Sequence, residues 1–332
     1  MAIKLAINGF GRIGRAVARN VLRREDFEIV AINDLMEPQM MAYLLAHDSV
    51  HKELEVSVEL HGQDLWIDGK RVQLSHYDRP GEMECEADVL IEATGKFLSQ
   101  ELASSHLRYA RRVILSAPAL DDTPTFVYGV NHTDYLGQSI LSNASCTTNC
   151  LAPIAKLVDE AFGIESGLMT TIHSYTIDQN LLDSDHRRDI RRARAAALNI
   201  LPTTTGAAKA IHRVLPNLKG KLHGRSVRVP VADVSLMDLD LVLSKECSES
   251  ALNDLFKEAA EGELAGILGV DEKYRVSQDF VGSPLSSIVA LDLTQVIGGK
   301  MAKIMSWYDN EWGYANRLLD MAQFVTQYQT KE

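Results

Sequence analysis

The sequence predicts an α/β protein in two parts: a mostly parallel, doubly wound sheet over residues 1–146, then an α+β part over 147–311. Three observations carry this. A Gly-rich turn joins an apolar run to a helical one near the start. Short β-rich runs alternate with helical stretches up to Ser145. Beyond Cys146, longer strands and a long polar stretch replace that rhythm. A length of 332 residues suits two domains of ordinary size.

In order, "IKLAIN" is a short apolar run, and "GFGRIGRAVARNVLRR" follows with Ile13, Val17 and Val21 at helical spacing. "FEIVAIND" is the next β-rich run, which completes strand, turn, helix, strand. "VLIEAT", "RRVILSA", "TFVYGV" and "SILSN" read as further strands of the same sheet. "TTNCLAPIAKLVDEAF" then reads as one helix, beginning at Thr147 or Thr148. A polar stretch from Tyr175 to Thr204 interrupts the strands that follow. "SESALNDLFKEAAEGEL" is a helix whose Ser248–Ala251 start resembles an N-cap. "SSIVALDLT" and "KIMSWYD" are strands, and an amphipathic helix spans about Trp312 to Thr326. No repeat or flexible linker separates the parts, so the boundary is expected in a tight turn near Cys146, a usual place for an active site.

Composition excludes several classes. Hydrophobic residues at 46% and charged residues at 24% are globular values. A net charge of -11 argues against a general nucleic-acid binder, although "HRRDIRRARA" (His186 to Ala195) is a local basic run. Four cysteines are too sparse for a disulfide scaffold. The first residues lack a small-residue cleavage site, and no apolar stretch is long enough to cross a bilayer. The expectation is a soluble protein of the reducing cytoplasm.

Gly9, Gly11 and Gly14 form G-x-G-x-x-G. Alone the pattern is weak, since glycines also mark ordinary turns; here it follows a strand, opens a helix and leads to a second strand ending at Asp34. The first glycine allows the tight turn, the second lets backbone approach a pyrophosphate, and the third permits close helix–strand packing. The helix N-terminus offers N–H groups to phosphate. Asp34 stands where an acid bonds ribose hydroxyls, which favours NAD over NADP because a carboxylate repels a 2′-phosphate.

"SNASCTTNC" places Cys146 just before a helix, where the dipole favours a thiolate. His173 closes the strand "GLMTTIH" and could serve as its base. Other readings stay open: Cys146 as buried filler, His173 as a structural histidine, or Cys146 and Cys150 sharing a metal. No CxxC pair or His cluster completes a metal set, and a disulfide between adjacent helical turns is geometrically poor.

"INGFGRIGR", "SNASCTTNC", "RRARAAALNILPTTTGAAKA" and "WYDNEWGY" resemble, in order and along essentially the entire chain, the signature stretches of phosphorylating glyceraldehyde-3-phosphate dehydrogenases. The resemblance implies a homotetrameric, metal-free enzyme of glycolysis or gluconeogenesis. Such an enzyme oxidises an aldehyde with NAD through a cysteine thioester and releases an acyl phosphate. It implies a Rossmann-type first domain, with a C-terminal helix (about 312–332) returning to it. Residue by residue, Cys146 matches the nucleophile and His173 the base that lowers its pKa. Asn310 matches the residue that bonds the nicotinamide amide, Thr94 and Ser116 line the cofactor cleft, and Arg12 and Ile13 match backbone donors to the pyrophosphate. Thr176 and Arg228 match the pocket for the substrate's phosphate. Ser145, Thr147, Thr205, Gly206 and Arg192 match groups for inorganic phosphate, with Arg228 touching both. Hydroxyls, a backbone N–H and arginine forks suit oxyanions without a metal. The basic run is implied to lie at a subunit interface beside a neighbour's cofactor.

Departures are few. Ile177 stands where asparagine is common, Lys52 where glycine is usual, and Asp185, in a loop one residue longer, where proline or serine is frequent. Erythrose-4-phosphate dehydrogenase, a relative that hydrolyses its thioester, is the alternative, and it lacks the phosphate pocket written in "TTTGAAKA".

Overall fold

The computed structural model describes residues 2–186 and 189–328, apart from the side chain of Lys209. Arg187 and Arg188 of the basic run therefore lie outside the described residues. The chain divides into two compact units. One comprises Met1–Tyr128, His132–Ser145 and Ala315–Glu332, the other Gly129–Asn131 and Cys146–Tyr314.

The first unit is built from β1 (Ile3–Asn8), α1 (Arg12–Val21), β2 (Phe27–Asn33), α2 (Pro38–Ala46), β3 (Val58–His61), β4 (Asp64–Ile67), β5 (Lys70–Ser75), β6 (Ala87–Glu92), α3 (Gln100–Ala103), β7 (Ala110–Leu115) and β8 (Ile140–Ser142). Its sheet runs β3-β4-β5-β2-β1-β6-β7-β8. From β5 to β8 all pairs are parallel. β1 therefore lies between β2 and β6, where the strand order reverses, and the Gly-rich turn leaves its carboxyl end at that switch point. Its interior residues Leu5, Ala6 and Ile7 are fully buried, as expected of a central parallel strand. Gly14 is required sterically, since a Cβ there would lie 2.1 Å from the Gly9 carbonyl oxygen.

Two features differ from the sequence reading. β3 and β4 form an antiparallel extension continuing into β5, joined by a two-residue Asp68–Gly69 turn with φ of 50° and 71°. Asp-Gly is the preferred dipeptide for such a hairpin turn. "TFVYGV", expected as a strand, makes one bridge, Thr125 to Ser142. A turn begins at Tyr128, and Gly129, at φ 83°, ends the extension. Lys52, where glycine is usual, adopts φ 65°, a left-handed conformation costing a lysine roughly 1 kcal/mol.

The second unit contains α4 (Cys146–Phe162), β9 (Ile164–Ser174), β10 (Leu201–Thr204), α5 (Ala207–Ala210), β11 (Leu222–Val229), β12 (Ser235–Leu243), α6 (Glu249–Glu261), β13 (Leu268–Asp271), β14 (Ser287–Ala290), β15 (Gln295–Ile297), β16 (Met301–Tyr308) and the start of α7 (Trp312–Gln327). Its mixed sheet runs β10-β11-β9-β12-β16-β14-β13, with β15 on β16. α4 begins at Cys146 itself, one residue before the expected start. The Ser248 hydroxyl does cap α6, accepting the Ala251 N–H at 3.1 Å. At α7 the Asp309 carboxylate accepts the N–H groups of Glu311 and Trp312 at 2.9 and 2.6 Å. From Ala315 onward this helix belongs to the first unit, where Asn316 donates to Asn20 at 2.9 Å and Asp320 pairs with Arg24 at 2.7 Å. Among the described residues no helix is long and apolar enough to cross a membrane.

Val234, just before β12, is buried at φ 65°, strained backbone for a β-branched residue. Beside it, burial and the neighbouring acids Asp309 and Glu311 push the Asp233 carboxyl up from 3.8 to about 9. Folding therefore takes up a proton at Asp233, so its contribution to stability is full below 3.8 and is lost as pH rises toward about 9. Asp233→Asn removes this dependence. Its melting temperature should rise relative to the native protein by a margin that widens across that window; a margin independent of pH would show that Asp233 titrates normally.

Candidate active site

In the first unit, the residues singled out for a dinucleotide gather at the carboxyl ends of β1, β2, β6 and β7. Gly9 takes φ 95°, and a Cβ there would lie 2.6 Å from the Thr94 nitrogen, so the turn and Thr94 need a glycine between them. Gly11 is the N-cap of α1, no side chain caps that helix, and a Cβ on Gly11 would meet nothing within 4 Å. Open space over a helix N-terminus with backbone N–H groups at Arg12 and Ile13 is a cradle that fits a pyrophosphate. The Arg12 guanidinium itself turns away to pair with Asp48, leaving its backbone for the phosphate role.

Asp34 is set by backbone. One carboxylate oxygen accepts the Phe10 N–H at 2.5 Å and the other the Met36 N–H at 2.9 Å, so the acid is tied to the Gly-rich turn. Glu92, fully buried at the end of β6, organises the far side. It accepts from the Thr94 N–H at 2.8 Å and from the Thr94 hydroxyl, while its carbonyl accepts the Ser116 N–H at 2.9 Å. Asn8 donates to its carboxylate at 2.5 Å and His106 approaches at 3.1 Å. The sequence reading did not single out Glu92; an acid closing an apolar strand was the available signal.

In the second unit, Cys146 opens α4 and His173 sits near the end of β9. Their Sγ and Nε2 atoms lie 3.7 Å apart. In the ladder between β11 and β9, Arg228 pairs with His173, which brings Arg228 Nη1 to 2.8 Å from His173 Nδ1 and 2.9 Å from the Ser174 carbonyl. His173 Nδ1 is also 2.8 Å from that carbonyl. A guanidinium can only donate, so the two neighbours ask opposite things of Nδ1. A proton on Nδ1 satisfies the carbonyl, lets Arg228 donate to the same oxygen, and leaves the Nε2 lone pair facing the sulfur.

The pKa shifts run against the simple expectation that His173 makes Cys146 acidic. Burial pushes the thiol up, and the Thr147 hydroxyl and Arg228 only partly offset it. Burial and Arg228 push His173 down to about 3. Both shifts favour the neutral forms, because low dielectric penalises either charge alone. Cys150 is different: its thiol is buried 3.4 Å from the Ser287 hydroxyl and pushed up to about 12, the behaviour of core filler. All four cysteines are free.

Arg192 donates from Nε to Thr203 at 3.2 Å and pairs with Asp178, which also accepts from the Thr176 hydroxyl. Among the described residues the buried Nε of Arg228 has no partner, a donor suited to an oxyanion. Thr205 and Gly206 lead into α5, with the Thr205 hydroxyl accepting the Ala207 N–H at 3.2 Å. Ser145 belongs to the first unit, at the end of its His132–Ser145 segment. The Thr147 hydroxyl is buried, bonded to the Tyr308 hydroxyl at 2.9 Å, and borders the sulfur at 4.0 Å. Its place in the first turn of α4 turns it inward.

Asn310 is oriented by two hydroxyls. Ser174 and Ser235 both donate to its Oδ1, at 2.9 and 2.7 Å, and Ser235 in turn accepts the Ser174 N–H at 3.2 Å. With Oδ1 so occupied, the NH2 end is left to donate to a ligand amide. Ser174, Ser235 and Tyr308 were not singled out from sequence, although Tyr308 lies inside the quoted stretch "WYDNEWGY".

Comparison with known proteins agrees with this arrangement. The family model for the glyceraldehyde 3-phosphate dehydrogenase NAD binding domain matches residues 3–100, and that for the C-terminal domain matches residues 145–310. Proteins named glyceraldehyde-3-phosphate dehydrogenase from Geobacillus stearothermophilus and Priestia megaterium are 50% and 49% identical, each over 98% of both chains. One from Helicobacter pylori is 50% identical over 98% of this chain and all of its own. With a dinucleotide cradle of the NAD type in one unit and a thiol–imidazole pair in the other, the chain belongs to the glyceraldehyde-3-phosphate dehydrogenase family and its cofactor is NAD.

Proposed function

We propose that the protein converts D-glyceraldehyde 3-phosphate and inorganic phosphate to 1,3-bisphosphoglycerate through a cysteine thiohemiacetal and thioester. The observation that carries the reading is the Cys146 sulfur 3.7 Å from the free Nε2 of His173, next to Arg228. A neutral pair of this kind works by proton transfer during bond formation. His173 takes the thiol proton as sulfur adds to the aldehyde carbon, then returns it to the new alkoxide, giving the thiohemiacetal. His173 next accepts that hydroxyl proton as the carbon loses hydride, leaving a thioester. The Ser174 carbonyl, bonded to Nδ1–H, steadies the imidazolium. NAD, when bound, would supply the hydride acceptor, and Asn310 would offer its NH2 to the carboxamide. Phosphate then displaces the sulfur, which leaves as thiolate and recovers the proton from His173.

Arg228, Arg192, Thr176, Thr205, Gly206, Ser145 and Thr147 are the groups we assign to the two phosphates. Assembly follows from the same reading. Ile177, Leu181, Ile190 and Leu198, in the polar stretch, are 79–89% exposed, apolar surface that subunits of a homotetramer would cover. Four free thiols suit a reducing, cytoplasmic compartment.

The direct test is NADH formation from glyceraldehyde 3-phosphate with phosphate or arsenate supplied and withheld. The proposal requires strong dependence on the oxyanion; a rate indifferent to it would point to a thioester-hydrolysing enzyme instead. Cys146→Ser should keep NAD affinity and lose turnover by at least about a thousandfold, since a hydroxyl is a much weaker nucleophile. Near-native turnover in that variant would remove Cys146 from the mechanism. Asp34→Ala should narrow the preference for NAD over NADP by roughly ten- to hundredfold, the worth of one charge-assisted hydrogen bond. An unchanged preference would show that Asp34 does not read the ribose.

A further inference from the structure

Two acids stand beside the proposed anion ligands: Asp189, 3.7 Å from Arg192, and Asp178, which reaches a donor of each set. A short turn runs from Thr176 to Gln179, with the Gln179 N–H on the Thr176 carbonyl at 2.9 Å and the Gln179 side chain accepting the Thr176 N–H at 3.2 Å. The turn folds the Asp178 carboxylate back onto the Thr176 hydroxyl, and the second carboxylate oxygen pairs with Arg192 Nη1. The Asp178 side chain is 44% exposed, so a solute can reach it, while Arg192 is largely covered. His186 fixes the backbone by donating to the Asp178 carbonyl at 3.0 Å.

We propose that Asp178 is a built-in counterion that stands in for phosphate, holding Thr176 and Arg192 until an incoming oxyanion displaces it. This rests on the reading of Thr176, Arg192 and Arg228 as anion ligands. Thr176 belongs to the set assigned to the substrate's phosphate, and Arg192 to the set assigned to inorganic phosphate. One carboxylate therefore spans a member of each. An oxyanion entering either set must take a donor from Asp178 or share it. Once the first phosphate has taken Thr176, the carboxylate is held by one partner fewer, and Arg192 is released more easily to the second.

The electrostatics support this role. Arg192 and Arg228 repel one another, and Asp178 offsets that repulsion at Arg228. The same carboxylate is held ionised despite burial by the Thr176 hydroxyl and the two guanidinium groups. A pocket made for doubly charged ligands would otherwise hold two unscreened cations whenever it was empty.

The test is calorimetric titration of inorganic phosphate into the NAD-loaded protein, combined with steady-state kinetics. Asp178→Asn keeps the shape and removes the charge; Asp178→Ser removes the carboxyl altogether and covers the case in which the asparagine misfolds. Both should bind phosphate at least about threefold more tightly than the native protein. The KM for phosphate should fall with it and the KM for NAD stay fixed. Asp183→Asn, at an exposed acid of the same loop paired with Arg194, controls for net charge and should leave phosphate binding unchanged. Unchanged or weaker phosphate binding in both Asp178 variants would overturn the inference, as would an equal gain in Asp183→Asn. A native protein that neither binds phosphate nor needs it for turnover would overturn the proposed function itself.

Discussion

The second unit depends on the register of its mixed sheet. β11 lies parallel to β9 with Arg228 beside His173, and β12 lies antiparallel to β16 with Ser235 beside Tyr308. A shift of one residue in either ladder would send those side chains to the opposite face. The sulfur then arrives from outside the sheet, at the first residue of α4. Its position is fixed by contacts that converge on Tyr308, whose hydroxyl meets Thr147 at 2.9 Å and Thr171 at 2.7 Å. Helix and sheet are thereby joined beside the reacting atoms. The register is specified by burial: along β12, Ser235, Met237, Leu239, Leu241 and Leu243 alternate inward with more exposed neighbours.

Two residues that adjoin site residues in sequence carry strained backbone. Ala144 and Val234 both take positive φ, 56° and 65°. Ala144 lies two residues before Cys146; Val234 immediately precedes the Ser235 that orients Asn310. A β-branched residue persists in that conformation only where its surroundings over-determine it. Here Val234 is buried, and Ser235 is held by the Ser174 N–H on one side and Asn310 on the other. The strain is accepted because it aims a hydroxyl, and that hydroxyl decides which end of the Asn310 amide is free.

The parts of the fold legible in sequence were those with local signals. G-x-G-x-x-G followed by Asp34 encodes backbone geometry, and the steric demands at Gly9 and Gly14 are the reason those residues mark the site so well. Ser248 announced its helix because capping is local chemistry. The β3–β4–β5 extension was missed although Asp68–Gly69 carried a hairpin signal, because its strands alternate with polar residues and are short. "TFVYGV" was over-read: its apolar content serves packing, and Phe126 and Val127 are buried without a strand ladder. Glu92, Ser174, Ser235 and Tyr308 were not legible, since each acts through partners at least 61 residues away or through a buried carboxylate that no spacing rule marks.

The charge pattern of the whole chain makes the same point about local against global information. A net charge of -11 would repel a phosphorylated substrate at long range. Screening at physiological salt limits that repulsion to about 8 Å, so what governs a phosphate is the short-range set of donors it meets. In the proposed function Arg228 and Arg192 supply that charge, and both stand next to acids: Asp178 beside each, and Asp189 3.7 Å from Arg192. The basic run read from sequence as one feature is therefore divided in the fold. Arg194 pairs with Asp183 on the surface, whereas Arg192 turns inward to Thr203 and Asp178. The neighbouring acid decides which arginine of the run faces the chemistry.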